Sequence, residues 1–532
     1  MNNKTITSNE TNHFLIKNWL NLFLLTILCY SHFIFYFLWG NHDWEWVKSG
    51  TPLLSGVFEG RFSQFILQTI ISSGNILPII TIFTAFAFFT SGIILLLNIF
   101  KLPHKKLYYI LTGLFISTAP YTISWLYFAF ITLSCLSWPF FIILGYTLLF
   151  KAQNSKYKFS LRFCSCILFY LSIGGYPPTI NLIGIIFFSI IINYLCFDKQ
   201  TIKNIIKKIT PIALSIICAL ILLLITQYLL KKYNLQHSTY NTAGISIQLL
   251  PQKLLDTIIV SLKQFTITTT FIAYQYKYLT LCLSFLALFC LYNLLPKTFY
   301  HIVLFSSSLL ALLISSVFTT LIAENTRYVT FEPRIEFFGI LYIYALSIII
   351  LLKYSNTFLK NITILLTIIL LIYNINTLSY ASKIWNFGFK TETQLANRII
   401  NTIEEHEQFS QQTKYTFIQG GTLNIRGKYY QYKPHENIDS YTLSAPLIPW
   451  HLPSKTYKFY ASTDYFEADF DIYWSYVNPH EVNMTDNLAQ YLNHKAKPWP
   501  NNDAIYLDDK TIILSLTQDG IWRGQNWFEM HY

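Results

Sequence analysis

Two groups of charged residues stand beside long apolar runs, and both contain residue types that acid–base and phosphate chemistry require. The first lies in "NHDWEWVKSGTPLLSGVFEGRF", residues 41–62, and contains Asp43, Glu45, Glu59 and Arg61. A carboxylate at the edge of an apolar region can act as a general base toward a hydroxyl group. An arginine stays charged and can bind phosphate oxygens through two parallel hydrogen bonds. The combination suits transfer of a group from a phosphate to a hydroxyl.

The second group is "ENTRYVTFEPRIEFFG", residues 324–339, which lies before a late apolar run. Its charged residues are Glu324, Arg327, Glu332, Arg334 and Glu336. Pro333 fixes the backbone directly before Arg334. If both groups lie on one side of a membrane, Arg327 and Arg334 could join Arg61 in holding a phosphate at the headgroup level.

Each residue of the first group has a functional and a structural interpretation. Asp43 is the leading candidate for the general base, and Glu45 is the runner-up. Glu59 either orients Arg61 or forms a purely structural ion pair with it. Trp44 and Trp46 either stack on sugar faces or belong to the aromatic belt that is usual at membrane interfaces.

The elements that must position these residues are membrane helices. The chain has 532 residues, of which 53% are hydrophobic and only 12% are charged, whereas a soluble chain carries about 25% charged residues. Runs of roughly 20 apolar residues recur, and each can cross a hydrocarbon core about 30 Å thick. We therefore predict an α-helical polytopic membrane protein with about eleven transmembrane helices. They lie near 19–39, 76–99, 107–124, 128–150, 161–174, 179–196, 209–230, 279–295, 302–323, 336–352 and 362–380.

The charge distribution predicts which side each loop faces. Residues 1–380 carry a net charge of +16, and residues 381–532 carry −4. The basic short loops, such as "KLPHKK" and "DKQTIKNIIKK", fall on one side together with the N-terminus, and the positive-inside rule makes that side cytoplasmic. Both charged groups and the tail then lie outside. The basic excess follows topology, so it does not predict a nucleic-acid-binding surface.

Two extramembrane parts are predicted. "PQKLLDTIIVSLKQF", residues 251–265, has helical apolar spacing and is either an interfacial helix on the bilayer or a helix packed on the protein. Residues 381–532 mix helical and β-type patterns and are predicted to form a soluble α/β domain. In this tail "TETQLANRIINTIEEHEQF" is predicted as an amphipathic helix, and "DNLAQYLNHKAK" as a short helix with Asp486 as its N-cap.

Several classes of site are disfavoured by the motifs. The sequence contains no Walker A sequence and no G-x-G-x-x-G, which argues against a nucleotide-dependent pump or a soluble nucleotide-sugar donor. The acidic stretch "DYFEADFDIYW" in the tail does not follow the spacing of an EF-hand loop, so we interpret it as a solvated acidic face. We therefore expect no metal and no cofactor.

The first hundred residues resemble the Gtr-type glucosyltransferases that modify bacterial O-antigen. That family has an acidic motif after its first helix and a Gly-Arg-aromatic motif before a helix that lies along or enters the membrane. Asp43 and Glu45 match the acidic positions loosely, because Trp44 separates them. "GRF", residues 60–62, matches the second motif, and Pro78 matches the proline before the next span. "EPRIEFF" is similar to the arginine-bearing external loop of that family.

The resemblance implies a GT-C-like membrane fold, a polyprenyl-phosphate sugar donor, with glucose as the sugar, and a glycan acceptor such as O-antigen. Transfer would take place on the periplasmic face of a bacterial inner membrane, with residues 1–380 as the transmembrane glycosyltransferase domain and residues 381–532 as the periplasmic domain. Two rivals stay open. One is a transporter or flippase for a lipid-linked sugar, and the other is a membrane scaffold whose tail binds a partner.

Overall fold

The computed structural model describes most of the membrane region and separate parts of the tail. The described residues are 8–35, 51–126, 128–236, 250–267, 272–322, 333–410, 413, 415–420, 466–467, 485–509, 511–515, 518, 521–522 and 524–526. They divide into two compact units, and the division in the chain falls between Ser382 and Lys383.

The first unit is built from helices. The α-helices in the N-terminal half are α1 (Ser8–Cys29), α2 (Ser31–Phe35), α3 (Ile66–Ser72), α4 (Pro78–Ile99), α5 (Lys106–Ser117), α6 (Ile123–Leu126), α7 (Ala129–Ala152), α8 (Lys158–Gly175), α9 (Thr179–Cys196) and α10 (Ile202–Lys232). They are followed by α11 (Leu250–Lys263), α12 (Tyr274–Leu294), α13 (Phe299–Ser315), α14 (Phe318–Ile322), α15 (Pro333–Phe338), α16 (Ile340–Tyr354) and α17 (Thr357–Glu404). Two 3-10 helices, Ser55–Glu59 and Pro120–Thr122, lie between them.

Seven helical segments among the described residues are long and apolar enough to cross a membrane. They are Pro78–Ile99, Ala129–Ala152, Thr179–Cys196, Ile202–Lys232, Tyr274–Leu294, Arg334–Tyr354 and Thr357–Lys383. These segments make the chain an α-helical, multi-pass membrane protein. Helices also lie at the four other predicted positions, but α5 and α13 are short and α1 and α8 are less apolar. The count of eleven therefore stays a prediction.

Proline and glycine mark the helix boundaries as the sequence indicates. Pro78 occupies the start of α4, where its missing N–H is not needed for the helix. "GGYPPT" separates α8 from α9, since α8 ends at Gly175 and α9 begins at Thr179. Pro120 begins the 3-10 helix Pro120–Thr122, which separates α5 from α6.

The segment formed by α15 and α16 lies at the centre of the unit, whereas α10 lies at its periphery. In the most apolar 18-residue window of Arg334–Tyr354, 94% of the residues are buried, against 22% in the window of Ile202–Lys232. The helix α16 packs on α12 and α5, while α4 packs on α7. Gly92 permits the latter contact, because a Cβ there would lie 2.8 Å from the Cα of Phe140.

The helix α11 turns its polar face toward the protein. Lys253, Thr257, Ser261 and Gln264 are buried, whereas Leu254, Leu255, Ile259 and Leu262 are exposed. A soluble protein has the opposite arrangement. An outward apolar face suits a lipid environment, and α11 contacts α13 and α14. This helix therefore combines features of both predicted alternatives. It is packed on the protein, and it also presents an apolar face outward, as an interfacial helix would.

The described part of the tail contains a small mixed sheet. Its strands are β1 (Tyr415–Gly420), β2 (Phe466–Glu467), β3 (Ile505–Leu507) and β4 (Thr511–Ser515), in the order β2-β1-β4-β3. The strand β1 is parallel to β2 and β4, and β3 is antiparallel to β4. An α/β domain over the whole of residues 381–532 stays a prediction beyond these elements.

A short helix packs beside this sheet. The helix α18 (Asp486–Gln490) continues as a π-helix over Tyr491–Lys495. Its N-cap is Thr485, whose hydroxyl accepts a hydrogen bond from the Leu488 N–H at 3.3 Å, so the prediction of Asp486 as the cap is wrong by one residue. Leu488, Tyr491, Leu492 and Ile513 form a small buried core, and burial raises the pKa of Tyr491 to about 12.

The predicted amphipathic helix at the start of the tail is not a separate element. It continues the preceding span without a break, so α17 has 48 residues. The connecting sequence "NTLSYASKIWNFGFKTETQ" contains one glycine and no proline. A single glycine costs a helix only about 1 kcal/mol relative to alanine, which does not end it.

Candidate functional site

Three of the predicted site residues lie among the described residues. They are Glu59, Arg61 and Arg334. The other predicted site residues, which lie outside the described residues, are Asp43, Trp44, Glu45, Trp46 and Arg327. The part of the predicted site that the structure describes is therefore the part that contains Arg61 and Arg334.

A left-handed glycine brings Glu59 and Arg61 together. The 3-10 helix Ser55–Glu59 ends at Gly60, which has φ of 75° and ψ of 11°. This conformation favours glycine, because a Cβ is disfavoured there. Arg61 then directs its Nη1 to Glu59 Oε2 at 3.0 Å. The Glu59 side chain is 49% exposed and that of Arg61 is 18% exposed, so the pair lies at the surface of the unit.

The residues after Arg61 are fastened to two helices. The Phe62 ring lies directly against Gly174 in α8, where no space is left for a side chain. The hydroxyl of Ser63 donates to the carbonyl oxygen of Leu171 at 2.6 Å, and the hydroxyl of Ser134 in α7 donates to the carbonyl oxygen of Gln64. These contacts fix the backbone on the C-terminal side of Arg61, so this arginine has a defined place in the unit.

The Arg61 guanidinium lies over an aromatic ring. Its central carbon is 5.4 Å from the centroid of the Tyr176 ring, which is within the range of a cation–π interaction. The Tyr176 ring lies 5.1 Å from that of Trp125 and 5.6 Å from that of Phe338. The Nε of Arg61 is buried and has no hydrogen-bond partner among the residues that the structure describes.

Arg334 reaches the same group of aromatic rings from α15. Its guanidinium carbon is 4.8 Å from the centroid of the Phe128 ring. Phe337 and Phe338 of the same short helix pack on Trp125 at 6.0 and 5.9 Å. The rings of Trp125, Tyr176, Phe337 and Phe338 contact one another, and Phe128 is joined to them through its backbone N–H, which donates to the carbonyl oxygen of Trp125 at 3.1 Å. We call these five residues the aromatic cluster. Arg61 and Arg334, which are far apart in the sequence, therefore border one cluster.

This arrangement can bind an anion that carries an apolar chain. Guanidinium groups bind phosphate oxygens bidentately and keep their charge when partly buried. Aromatic faces beside them can hold the cations in place, and can also stack on a sugar ring. A phosphate between an apolar lipid and a sugar would meet both kinds of surface here.

A second ion pair was not anticipated from the sequence. Lys277 in α12 and Glu336 in α15 are 0% and 3% exposed, and Lys277 Nζ lies 3.0 Å from Glu336 Oε1. Lys277 Nζ also donates to the carbonyl oxygen of Gln264 at 2.7 Å. The signal was a lysine at the fourth residue of an otherwise apolar helix, "YQYKYLTLCLSFLALFCLYNL". A charge inside a membrane segment usually faces the protein interior and has a partner.

No metal site is found among the described residues. They contain no group of three or more His, Cys, Asp or Glu side chains that could hold an ion. Of the tail's acidic stretch, Glu467 lies in β2, while Asp464, Asp469 and Asp471 lie outside the part of the chain that the structure describes.

Comparisons of the chain with known proteins find no matching family model, no matching curated protein and no matching solved structure.

Proposed function

We propose that the chain is a membrane glycosyltransferase that moves a sugar, with glucose as the first candidate, from a polyprenyl-phosphate donor to a glycan acceptor such as O-antigen. The observation that carries the proposal is the approach of Arg61 and Arg334 to one aromatic cluster. Two permanent cations beside aromatic faces suit a lipid-linked phosphate sugar. The resemblance of "HDWEW" and "GRF" to Gtr-type glucosyltransferases supports the same conclusion.

Each site residue has a stated role in this proposal. Arg61, Arg334 and Arg327 hold the donor phosphate, and Glu59 orients Arg61 through their ion pair. Asp43, with Glu45 as the alternative, accepts the proton of the acceptor hydroxyl as that oxygen attacks the anomeric carbon. The bond from the anomeric carbon to the phosphate oxygen breaks, and the arginines stabilise the phosphate that leaves.

The proposal includes a GT-C-like fold and a topology. It has about eleven spans, a cytoplasmic N-terminus and a periplasmic C-terminal domain in a bacterial inner membrane. The basic short loops support this orientation through the positive-inside rule. The site then faces the periplasm, where no nucleotide sugar is needed because the donor is lipid-linked.

The test is transfer of labelled glucose from polyprenyl-phosphate glucose to O-antigen-bearing lipopolysaccharide by membranes that contain the protein. Asp43→Asn, Glu45→Gln, Arg61→Lys and Arg334→Lys are assayed beside the wild type. We expect one carboxylate variant to abolish transfer, and both arginine variants to raise the donor KM, because lysine cannot bind phosphate bidentately. Absence of transfer by the wild type would contradict the proposal, and full activity of both carboxylate variants would contradict the base assignment.

Matched controls exist in the chain. Arg162 lies in the first half of α8, whereas Ser63, two residues after Arg61, is bonded near the other end of that helix. Asp256 lies in α11 and accepts a hydrogen bond from the Gln252 side chain at 2.9 Å. Arg162→Lys and Asp256→Asn should leave the donor KM unchanged. If they reduce transfer as much as the site variants do, the effect is not specific to the site.

A transporter or flippase for a lipid-linked sugar is the second candidate. The buried pair Lys277–Glu336 favours it, since ionisable groups inside membrane segments often mark transport pathways. The two functions separate in liposomes that contain the purified protein and a fluorescent lipid-linked sugar. Movement of the lipid between leaflets without an acceptor supports transport, whereas a glycosylated acceptor and free polyprenyl phosphate support transfer.

A further inference from the structure

The ion pair of Lys277 and Glu336 lies on the opposite side of α15 from Arg334. Successive residues of an α-helix are about 100° apart, so Arg334 and Glu336 are separated by about 200° around the helix axis. Arg334 lies over the Phe128 ring, while Glu336 accepts a hydrogen bond from Lys277 Nζ at 3.0 Å. The rotation that brings Glu336 to Lys277 is therefore the same rotation that brings Arg334 to the aromatic cluster.

The helix α15 cannot fix this rotation by itself. It has six residues, and a helix of this length is not stable alone. It is separated from α16 at Gly339, whose ψ of −103° departs from helical geometry. A Cβ at Gly339 would collide with the carbonyl oxygen of Ser316, so the backbone of Gly339 is in direct contact with the backbone of Ser316. Tertiary contacts must therefore set the orientation of α15.

Lys277 can make such a contact from a fixed position. Its side chain is 0% exposed, so its ammonium group cannot extend to water. Besides Glu336, it donates to the carbonyl oxygen of Gln264 at the end of α11. The side-chain amide of Gln264 in turn donates to the hydroxyl of Ser316. The position of the Lys277 ammonium is therefore fixed by its own helix α12 and by the Gln264 carbonyl at the end of α11. The ion pair forms only when α15 is rotated so that Glu336 faces this ammonium.

We propose that Lys277 is a positioning residue for the donor site, because its ion pair with Glu336 sets the rotation of α15 and holds Arg334 beside Arg61. The inference rests on the proposed function insofar as Arg334 binds the donor phosphate. A purely structural pair would stabilise the fold without controlling the place of Arg334. The two roles differ in what happens when the pair is replaced by apolar side chains that preserve the packing.

The experiment uses the full-length protein with Lys277→Met and Glu336→Leu combined. Replacing a buried ion pair by apolar groups is often neutral for folding, so this variant should reach the membrane. Two quantities are measured, namely the donor KM and the rate at which phenylglyoxal modifies Arg334, which peptide mass spectrometry quantifies. We expect the labelling rate to rise at least about threefold and the KM about tenfold, since a shift of 1 Å can cost up to about 100-fold.

The labelling rate decides the positioning role. A raised rate supports it whatever the transfer assay gives, and an unchanged rate overturns it. Failure of the wild type to transfer sugar would instead count against the proposed function alone. If the double variant does not fold, Glu336→Asp keeps both charges but shortens the reach by about one C–C bond of 1.5 Å. An unchanged labelling rate in that variant would likewise overturn the proposal.

Lys353→Met is the matched control. Lys353 lies near the C-terminal end of the span Arg334–Tyr354, whereas Glu336 lies near its beginning. Lys353 donates to the carbonyl oxygen of Phe100 at 2.7 Å. Its removal also deletes a lysine that is bonded to a backbone carbonyl. We expect the donor KM and the labelling rate of Arg334 to stay at their wild-type values.

Discussion

The two ion pairs Glu59–Arg61 and Lys277–Glu336 have the same length and opposite surroundings. Both have a nitrogen–oxygen distance of 3.0 Å. The first pair joins neighbours across Gly60 at the surface, and the second joins buried residues that are 59 positions apart. Exposed pairs contribute about 0–1 kcal/mol to stability, whereas removal of one partner from a buried pair costs about 3–5 kcal/mol. Burial, not distance, therefore separates their roles.

The difference also determines what a substitution can report. A change at Glu59, whose side chain is half exposed, should leave the fold nearly intact, so its effect on transfer reflects the site itself. A change at Lys277 or Glu336 disturbs folding and position together. The two effects can be separated only when both partners are replaced, because a single replacement leaves a buried charge without its partner.

The largest expected effect on stability follows when only one partner of the buried pair Lys277–Glu336 is replaced. Lys277→Met alone leaves the Glu336 carboxylate buried, which should reduce the free energy of unfolding by about 3–5 kcal/mol. Thermal unfolding in detergent, followed by tryptophan fluorescence, measures the loss. Adding Glu336→Leu should restore most of the stability, because the remaining charge is then also removed.

Lys353→Met provides the reference for removal of a half-buried lysine, and it should cost less than Lys277→Met. If Lys277→Met unfolds at the wild-type temperature, the pair does not carry the energy that its burial implies. If the double variant is less stable than Lys277→Met alone, the buried carboxylate left without its lysine is not the source of the loss, and the other contacts of the Glu336 side chain outweigh it.

An intermediate effect is expected when a substitution of Gly60 disturbs the backbone between Glu59 and Arg61. Gly60 has φ of 75°, and a non-glycine residue in this region costs about 1–2 kcal/mol. Gly60→Val should therefore raise the donor KM and lower the unfolding temperature, while Gly60→Asn should do so less, since asparagine tolerates the left-handed conformation. Neither variant alters the side chains of Glu59 and Arg61.

A Cβ at Gly60 would also lie 3.1 Å from Nε2 of Gln236. Gln236→Ala combined with each Gly60 variant removes this contact and leaves only the backbone effect. Equal behaviour of the valine and asparagine variants would show that the backbone conformation does not place Arg61.

The sequence predicts the local features of this molecule well. Apolar runs identify the helices, because each span must be long enough to cross the bilayer. "GGYPPT" identifies the end of α8, since its glycines and prolines do not continue a helix. The pair Glu59–Arg61 is also local, because only Gly60 separates the two residues in the chain. Such features depend on neighbours in the chain.

The features that the sequence misses depend on packing between distant elements. Lys277 resembles a lysine at a span end that extends to the interface, and nothing in its surroundings names Glu336 as its partner. The spacing of α11 shows that it is amphipathic, but the period is the same whether its polar face points inward or outward. The approach of Arg61 and Arg334 to the aromatic cluster likewise requires the contacts of Phe62, Ser63 and Phe338.

The smallest effect on stability, and the sharpest test of the exposed pair, is expected for Glu59→Gln. It should change the free energy of unfolding by no more than about 1 kcal/mol, because the Glu59 side chain is half exposed. The donor KM should nevertheless rise severalfold, since Arg61 loses the carboxylate that orients it. About 1 M salt, where the Debye length is about 3 Å, should reduce the difference in KM between this variant and the wild type, because the charges are then screened. A KM equal to that of the wild type at low salt would mean that Phe62 and Ser63 suffice to place Arg61, and the pair would then be only a surface contact.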